Sequence, residues 1–120
     1  MEQLAAAVDD DFCYLTTRGR RSGQPHEIEI WFALDGRTLY FLAGARDASD
    51  WVRNVMADPA VTVRVRDRTY AGRGRVVDEG DESARARELV FDKYQPRSSG
   101  SLANWRVESL PVAVDLTEEA

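Results

Sequence analysis

At 120 residues the chain is sized for one domain, residues 1–120, and is long enough to bury a core without metals or disulfides. Hydrophobic residues at 43% and charged residues at 31% exclude a disordered chain, and a net charge of -5 argues against nucleic acid as a partner, because phosphate-backbone binding needs an extended basic face. The lone cysteine, Cys13, excludes an intramolecular disulfide and a thiolate zinc site and points to a reducing cytoplasm; no basic leader follows Met1, and no apolar run approaches the roughly 18 residues of a membrane helix.

Residues 12–17 read as a short buried strand that delivers the chain into Thr16-Thr17-Arg18-Gly19-Arg20-Arg21-Ser22-Gly23. After Gln24-Pro25, a strand is predicted over 26–34, and its period-two alternation puts Glu27, Glu29 and Trp31 on one face and Ile28, Ile30 and Phe32 on the other. Asp35-Gly36 is a hairpin pair leading to a return strand over 37–43. Ser49 caps a predicted helix with Trp51, Val52, Val55 and Met56 as its apolar stripe, and Asp58-Pro59 stops it. Strands over 60–66 and 69–77 form a second hairpin turning at Asp67-Arg68. Asp81 caps a longer helix that turns Ala84, Leu89, Val90 and Phe91 toward the core and runs to about Tyr94. Residues 95–104 read as loop, and a last strand spans 110–116. This βββαββαβ order, linked by hairpins, predicts one small, mainly antiparallel barrel-like sheet with helices packed across its openings, an α+β fold, and not a doubly wound parallel sheet. The aromatics of 31–41 look exposed and in need of cover, which suggests a homodimer.

The chemistry centres on Arg18, Arg20 and Arg21, which fall within four residues of an otherwise acidic chain. Two glycines let the backbone turn tightly, hydroxyls donate hydrogen bonds, and guanidinium forks match phosphate or carboxylate oxygens, so the segment suits an anion cradle. The competing reading is a solvated turn in a chain that uses arginine almost to the exclusion of lysine. Neither Gly-x-Gly-x-x-Gly nor Gly-Lys-Ser/Thr occurs, so Rossmann and P-loop sites are excluded. No serine occupies a Gly-x-Ser-x-Gly elbow, and the single histidine, His26, reads as a strand or surface residue more than as a general base. One histidine and scattered carboxylates give no metal-ligand spacing. No catalytic side chain is assigned. Enzymatic activity then requires a cofactor that carries the chemistry.

The loop Leu15-Thr16-Thr17-Arg18-Gly19-Arg20-Arg21-Ser22-Gly23-Gln24-Pro25, followed two strands later by Trp51-Val52-Arg53-Asn54-Val55-Met56-Ala57-Asp58-Pro59, resembles the deazaflavin-dependent nitroreductase family. The likeness runs from Phe12 to Leu116 and implies a split β-barrel, FMN-binding-like fold that uses the deazaflavin coenzyme F-420. It implies that Gly19, Arg20, Arg21 and Ser22 clamp the anionic tail of the coenzyme with Thr17 in support. By the same likeness, Ala43, Gly44 and Ala45, before Arg46, pass along the deazaflavin ring. Trp51 and Asn54 match the family's Trp-x-x-Asn, either as ligand contacts or as helix packing plus a structural hydrogen bond.

The chain departs from the family in several places. Arg21 stands where the family has lysine, and the segment before Trp51 is shorter and lacks the usual Gly-Gly and Pro. Glu27 and Glu29 occupy a strand where small or polar residues are common; they form either a solvated face or a carboxylate pair balanced by Arg64, Arg66, Arg73 or Arg75, with partial burial expected for Glu29 alone. The family's tyrosine-rich C-terminal segment survives only as Tyr94 and Trp105. The candidate substrate contacts are therefore Glu29, Trp31, Tyr94 and Trp105. The resulting expectation is a reductase that passes a hydride from reduced coenzyme F-420 to a quinone, enone or nitro compound. An FMN-dependent reductase or oxidase on the same fold, or a non-catalytic cofactor-storage protein, are the alternatives.

Overall fold

The computed structural model describes residues 2–119, with side chains from Leu4 to Glu118. Seven strands, β1 (Cys13–Arg18), β2 (Pro25–Ile30), β3 (Ala33–Asp35), β4 (Thr38–Ala43), β5 (Ala60–Val65), β6 (Arg68–Val76) and β7 (Leu110–Glu119), form one sheet in the order β2-β1-β5-β6-β7-β4-β3. Every neighbouring pair is antiparallel. β2 and β3 are the two edges of this sheet, yet only Trp31 and Phe32 separate them in sequence, so the sheet must curl until its edges approach one another. Leu15, Phe32, Leu39, Phe41, Val63, Tyr70 and Val114 fill the interior with side chains that are fully buried.

The strand expected over 26–34 is thus two strands with a corner between them. At that corner the backbone finds its partners in the helix α3 (Asp81–Tyr94) instead of in a sheet ladder. The Phe32 N–H donates to the Tyr94 hydroxyl at 3.0 Å, and Lys93 Nζ donates to the Phe32 carbonyl at 2.9 Å. Buried backbone groups need such partners, and two helix side chains replace two ladder bonds here. The corner also rotates Trp31 out of the simple alternation, so its ring lies flat against Tyr94.

α3 packs on the outer side of β4 and β7 through Ser83, Ala86, Val90 and Tyr94. The stripe expected from sequence is shifted: Ala84 is exposed, and Leu89 and Phe91 are only half-buried. Arg75 fixes this seat with paired contacts to Glu82 on α3 and to Asp115 on β7, while the Tyr40 hydroxyl donates to Glu82 at 2.8 Å. The helix α2 (Asp50–Ala57) lies against β6, where a Cβ added at Gly74 would fall 2.6 Å from Val55 Cγ1. Glycine is needed there for close approach. Val52 and Val55 point inward as expected, but Met56 is 62% exposed because it falls on the far side of the helix. Ser49 and Gly80 stand at the N-caps of α2 and α3 without side-chain cap bonds, so Asp81 is the first helical residue and not the cap.

Two helices lie outside the sequence expectation. α1 (Glu2–Ala6) brings Leu4, and Ala7 just after it, into the core, and α4 (Ala103–Glu108) interrupts a segment read in part as loop. Phe32, Tyr40 and Phe41 are buried by their own chain, which removes most of the aromatic surface that suggested a homodimer; Trp31 remains 40% exposed. No helix among the described residues is long and apolar enough to cross a membrane.

Candidate cofactor and substrate site

β1 ends in the arginine loop, and the loop is folded by its own backbone. Gly19 N–H donates to the Gln24 carbonyl and Gly23 N–H to the Gly19 carbonyl, both at 2.8 Å, with Gly23 at φ 74°. That conformation favours glycine. Ser22 Oγ accepts from the Gln24 N–H at 3.1 Å and closes the turn. A Cβ on Gly19 would sit 2.7 Å from His26 Nε2, so the imidazole of the following strand rests directly on this glycine.

α2 supports the loop from beneath. Asn54, buried, donates from Nδ2 to Thr17 Oγ1 at 3.1 Å, and its Oδ1 accepts from the Arg20 N–H at 3.2 Å and from Arg20 Nη1 at 2.9 Å. Arg20 also reaches the Asp50 carboxylate at 3.2 Å. Arg20 is therefore turned toward the helix, with its guanidinium on Asn54 and Asp50. Arg18 pairs with Asp58 at 3.4 Å. Arg21 is exposed and makes no hydrogen bond or ion pair among the described residues. The two adjacent arginines have different work: one is a strut, and the other is available to an anion.

Between loop and helix lies a cavity of about 470 Å³ lined by Gly19, Arg21, Ser22, His26, Asp50 and Trp51, with Thr17, Arg20, Glu27, Ile28 and Asn54 completing its wall. The donor set, a guanidinium without a partner among the described residues and an imidazole resting on a glycine, fits an anionic group. Trp51 also packs edge-on against Phe41 of β4 at 6.1 Å between ring centroids, and β4 ends at Ala43. His26, Ile28 and Asp50 were not singled out as site residues. Only the spacing of His26 from Gly19 across the turn signals it in sequence.

The second part of the site lies past the end of β4. Ala43 is buried and paired with Leu110, whereas Gly44 and Ala45 are exposed. The indole of Trp105, on α4, stands 3.4 Å from the position of a Cβ on Gly44. Trp105 meets Trp31 edge-on at 5.7 Å, and Trp31 stacks on Tyr94 at 4.3 Å with the rings 2° from parallel. Three of the four candidate substrate residues thus form one aromatic cluster beside Gly44. Tyr94 is its buried backing: burial pushes its hydroxyl up to about 12, and that hydroxyl donates to the Asp11 carbonyl at 2.7 Å.

Glu29 does not join them. It is exposed, accepts from the Tyr14 hydroxyl at 3.3 Å, and has no arginine partner among the described residues, so the partial burial expected for it is corrected to a solvated face. Glu27 meets Arg64 at 3.5 Å, while Arg66 and Arg75 are taken by Asp10 and by Glu82 with Asp115. Burial holds the Cys13 thiol up to about 12, which rules out a thiolate nucleophile near neutral pH. Among the described residues no cluster of His, Cys, Asp or Glu could hold a metal ion.

A family model for F420H2-dependent quinone reductases matches residues 4–117. The chain belongs to that family. Several solved structures share its fold at low identity. An F420H2-dependent reductase is 22% identical with TM-score 0.72, covering 90% of this chain and 95% of that one. A domain-swapped dimer is also 22% identical at TM-score 0.72, covering 92% and 82%. A conserved hypothetical protein from Mycobacterium tuberculosis is 19% identical at TM-score 0.75, covering 98% and 79%. The curled antiparallel sheet with its helices is the split β-barrel of these reductases. Membership of the quinone reductase family makes the chain a deazaflavin-dependent oxidoreductase, and coenzyme F-420 is its cofactor.

Proposed function

We propose that this chain reduces a quinone with reduced coenzyme F-420, holding the anionic tail in the Gly19–Gly23 cradle and the ring along Ala43, Gly44 and Ala45. The single observation that carries the placement is Trp51, which lines the cradle cavity and packs on Phe41 of the strand that leads to Gly44. That contact supports reading the tail seat and the ring seat as neighbours joined through Trp51. When bound, the reduced coenzyme supplies a hydride. The chain's own part is to bind and orient. The Arg21 guanidinium and the Ser22 hydroxyl meet the tail, Arg20 and Asn54 hold the loop on α2, and Trp31 and Trp105 offer an aromatic wall to a planar acceptor.

An absorbance titration with coenzyme F-420 and with FMN tests the cofactor, and oxidation of reduced F-420 by 2-methyl-1,4-naphthoquinone, against a nitroimidazole control, tests the acceptor. Binding of F-420 with preferential turnover of the quinone is the expected result. Tighter binding of FMN, or binding without turnover of any acceptor, overturns the reading. A homodimer is proposed on narrower ground than the sequence suggested, namely the exposed Phe12 and Trp31 and the domain-swapped neighbour. Sedimentation of a single 13.5 kDa species at high concentration would remove it. A cytoplasmic location is proposed with it, since the lone thiol of Cys13 is buried and unbridged.

A further inference from the structure

Arg46, two residues past Gly44, has φ 53°, a left-handed conformation that a residue with a Cβ rarely adopts. Such a conformation persists only where the surroundings over-determine it. Beside the backbone bond from the Ser49 N–H to the Arg46 carbonyl at 3.2 Å, the side chain supplies such constraints. Arg46 Nη1 donates to the carbonyl of Glu108 at 2.9 Å and Nη2 to the Asp78 carboxylate at 3.0 Å. Glu108 is the last residue of α4. On α3, Arg87 Nη1 donates to the carbonyls of Arg106 at 2.6 Å and Val107 at 2.8 Å. Three consecutive carbonyls at the open end of α4 are thus each met by a guanidinium, as the negative end of a helix favours.

α4 has little else to hold it. None of its residues is buried, Val107 is 70% exposed, and its inward contacts come from half-buried Trp105 and from Arg106 lying over the Phe91 ring. We propose that Arg46 is a positioning residue for the reductase reaction: it ties the Gly44–Ala45 turn to the end of α4 and so keeps Trp105 against Gly44. The inference rests on the reading of that turn as the ring seat. A left-handed Arg46 aims its guanidinium across at Glu108, while Trp105 one turn earlier closes back on Gly44; rim turn and helix form a ring of contacts that loosens when Arg46 lets go.

The test compares wild type, Arg46→Gly and Arg46→Lys. Glycine accepts the left-handed backbone but removes both tethers, and lysine retains charge without the planar fork. Amide hydrogen exchange is read at Arg106 and Ser109, whose N–H groups donate to the Leu102 and Trp105 carbonyls. In Arg46→Gly these two amides are expected to exchange about tenfold faster, with residues 17–23 unchanged. KM for 2-methyl-1,4-naphthoquinone should rise severalfold with kcat moving less, tail affinity should hold, and Arg46→Lys should recover part of both effects. Unchanged exchange at Arg106 and Ser109 overturns the tether whatever the turnover. Faster exchange with an unchanged KM overturns the positioning role. A wild-type protein that binds no F-420 overturns the functional reading instead, and leaves the exchange result standing on its own.

Discussion

Asn54 Oδ1 accepts two hydrogen bonds from one residue, the backbone N–H of Arg20 at 3.2 Å and its Nη1 at 2.9 Å. With Nδ2 on Thr17, the side-chain amide of a buried asparagine is spent on joining β1, the arginine loop and α2. The strut fixes where Gly19 and Arg21 stand, and it separates two arginines that look equivalent in sequence.

Arg20→Ala is therefore expected to destabilise the fold by about 1.5–3 kcal/mol, because charge-assisted bonds are lost and Asn54 Oδ1 loses its stronger donor. Arg21→Ala should change stability by less than about 0.5 kcal/mol, as for an exposed side chain without partners. The order reverses for ligand: loss of one direct charge-assisted contact at Arg21 should weaken F-420 binding by roughly one to two decades. Urea denaturation and calorimetric titration of both variants check this. Equal stability of the two would show that the Arg20 bonds do not persist in solution.

The glycines give a second contrast. At Gly74 an added Cβ would meet Val55 Cγ1 at 2.6 Å, and Val55 is a buried residue of α2, so Gly74→Ala must push the helix off β6 and should cost about 1–3 kcal/mol. At Gly19 the obstructions are the far end of His26 and the Ser22 hydroxyl, both on exposed side chains that can swing away. Gly19→Ala should thus leave stability nearly intact and instead narrow the cradle cavity, weakening F-420. Thermal melts alongside ligand titration distinguish the two; a Gly19→Ala protein that melts as low as Gly74→Ala would mean that the loop cannot adjust.

The barrel was legible because period-two alternation and hairpin residues are local signals, and they put strands at 12–17, 37–43, 60–66 and 69–77 to within a residue or so of β1, β4, β5 and β6. The corner at Trp31 and Phe32 was not, since it depends on Tyr94 and Lys93, some sixty residues away, supplying the backbone partners. α4 escaped notice for a related reason. Six residues cannot show a periodicity, and guanidinium groups from Arg46 and Arg87 hold it instead of an apolar stripe. In the site, the loop and the Trp51–Asn54 pair stood out as motifs, while the division of labour between Arg20 and Arg21 appears only once α2 is docked beneath them.

Glu29 offers a direct check on the solvated strand face. Its one hydrogen-bond partner among the described residues is the Tyr14 hydroxyl at 3.3 Å, a long bond on an exposed surface. Glu29→Ala should shift stability by no more than about 0.5 kcal/mol, and the quinone KM should not move. A loss of several kcal/mol, the size expected on breaking a buried ion pair, about 3–5 kcal/mol, would mean that this face is covered in solution, and self-association would then be the first thing to measure.

Lys93 sets a stability dependence on pH whose sign can be worked out. Its ammonium is half-buried, 3.8 Å above the Phe32 ring, and burial, then the Arg97 guanidinium, bring it down to about 8 in spite of Cys13, Asp9 and Asp10 nearby. An unfolded lysine titrates near about 10.4, so between about 8 and 10.4 the unfolded chain holds a proton that the folded chain has released, and the Lys93 contribution makes stability rise with pH. Below about 8 both states are protonated and the cost of the half-buried charge is fully present. Cys13 and Tyr94 act oppositely, since burial raises both to about 12 and the folded chain keeps protons that the unfolded one loses. Tyr94 is common to wild type and Lys93→Met and drops out of the difference between the proteins, and of the Cys13 contribution only the pull of the Lys93 ammonium on the thiol remains. Methionine keeps the apolar stem without the charge. The stability of wild type relative to Lys93→Met should be flat below about pH 8 and should climb from there toward about pH 10, as read from urea midpoints at each pH. A difference that falls across that window would show instead that the Phe32 carbonyl at 2.9 Å and the ring beneath favour the charged form more than burial opposes it.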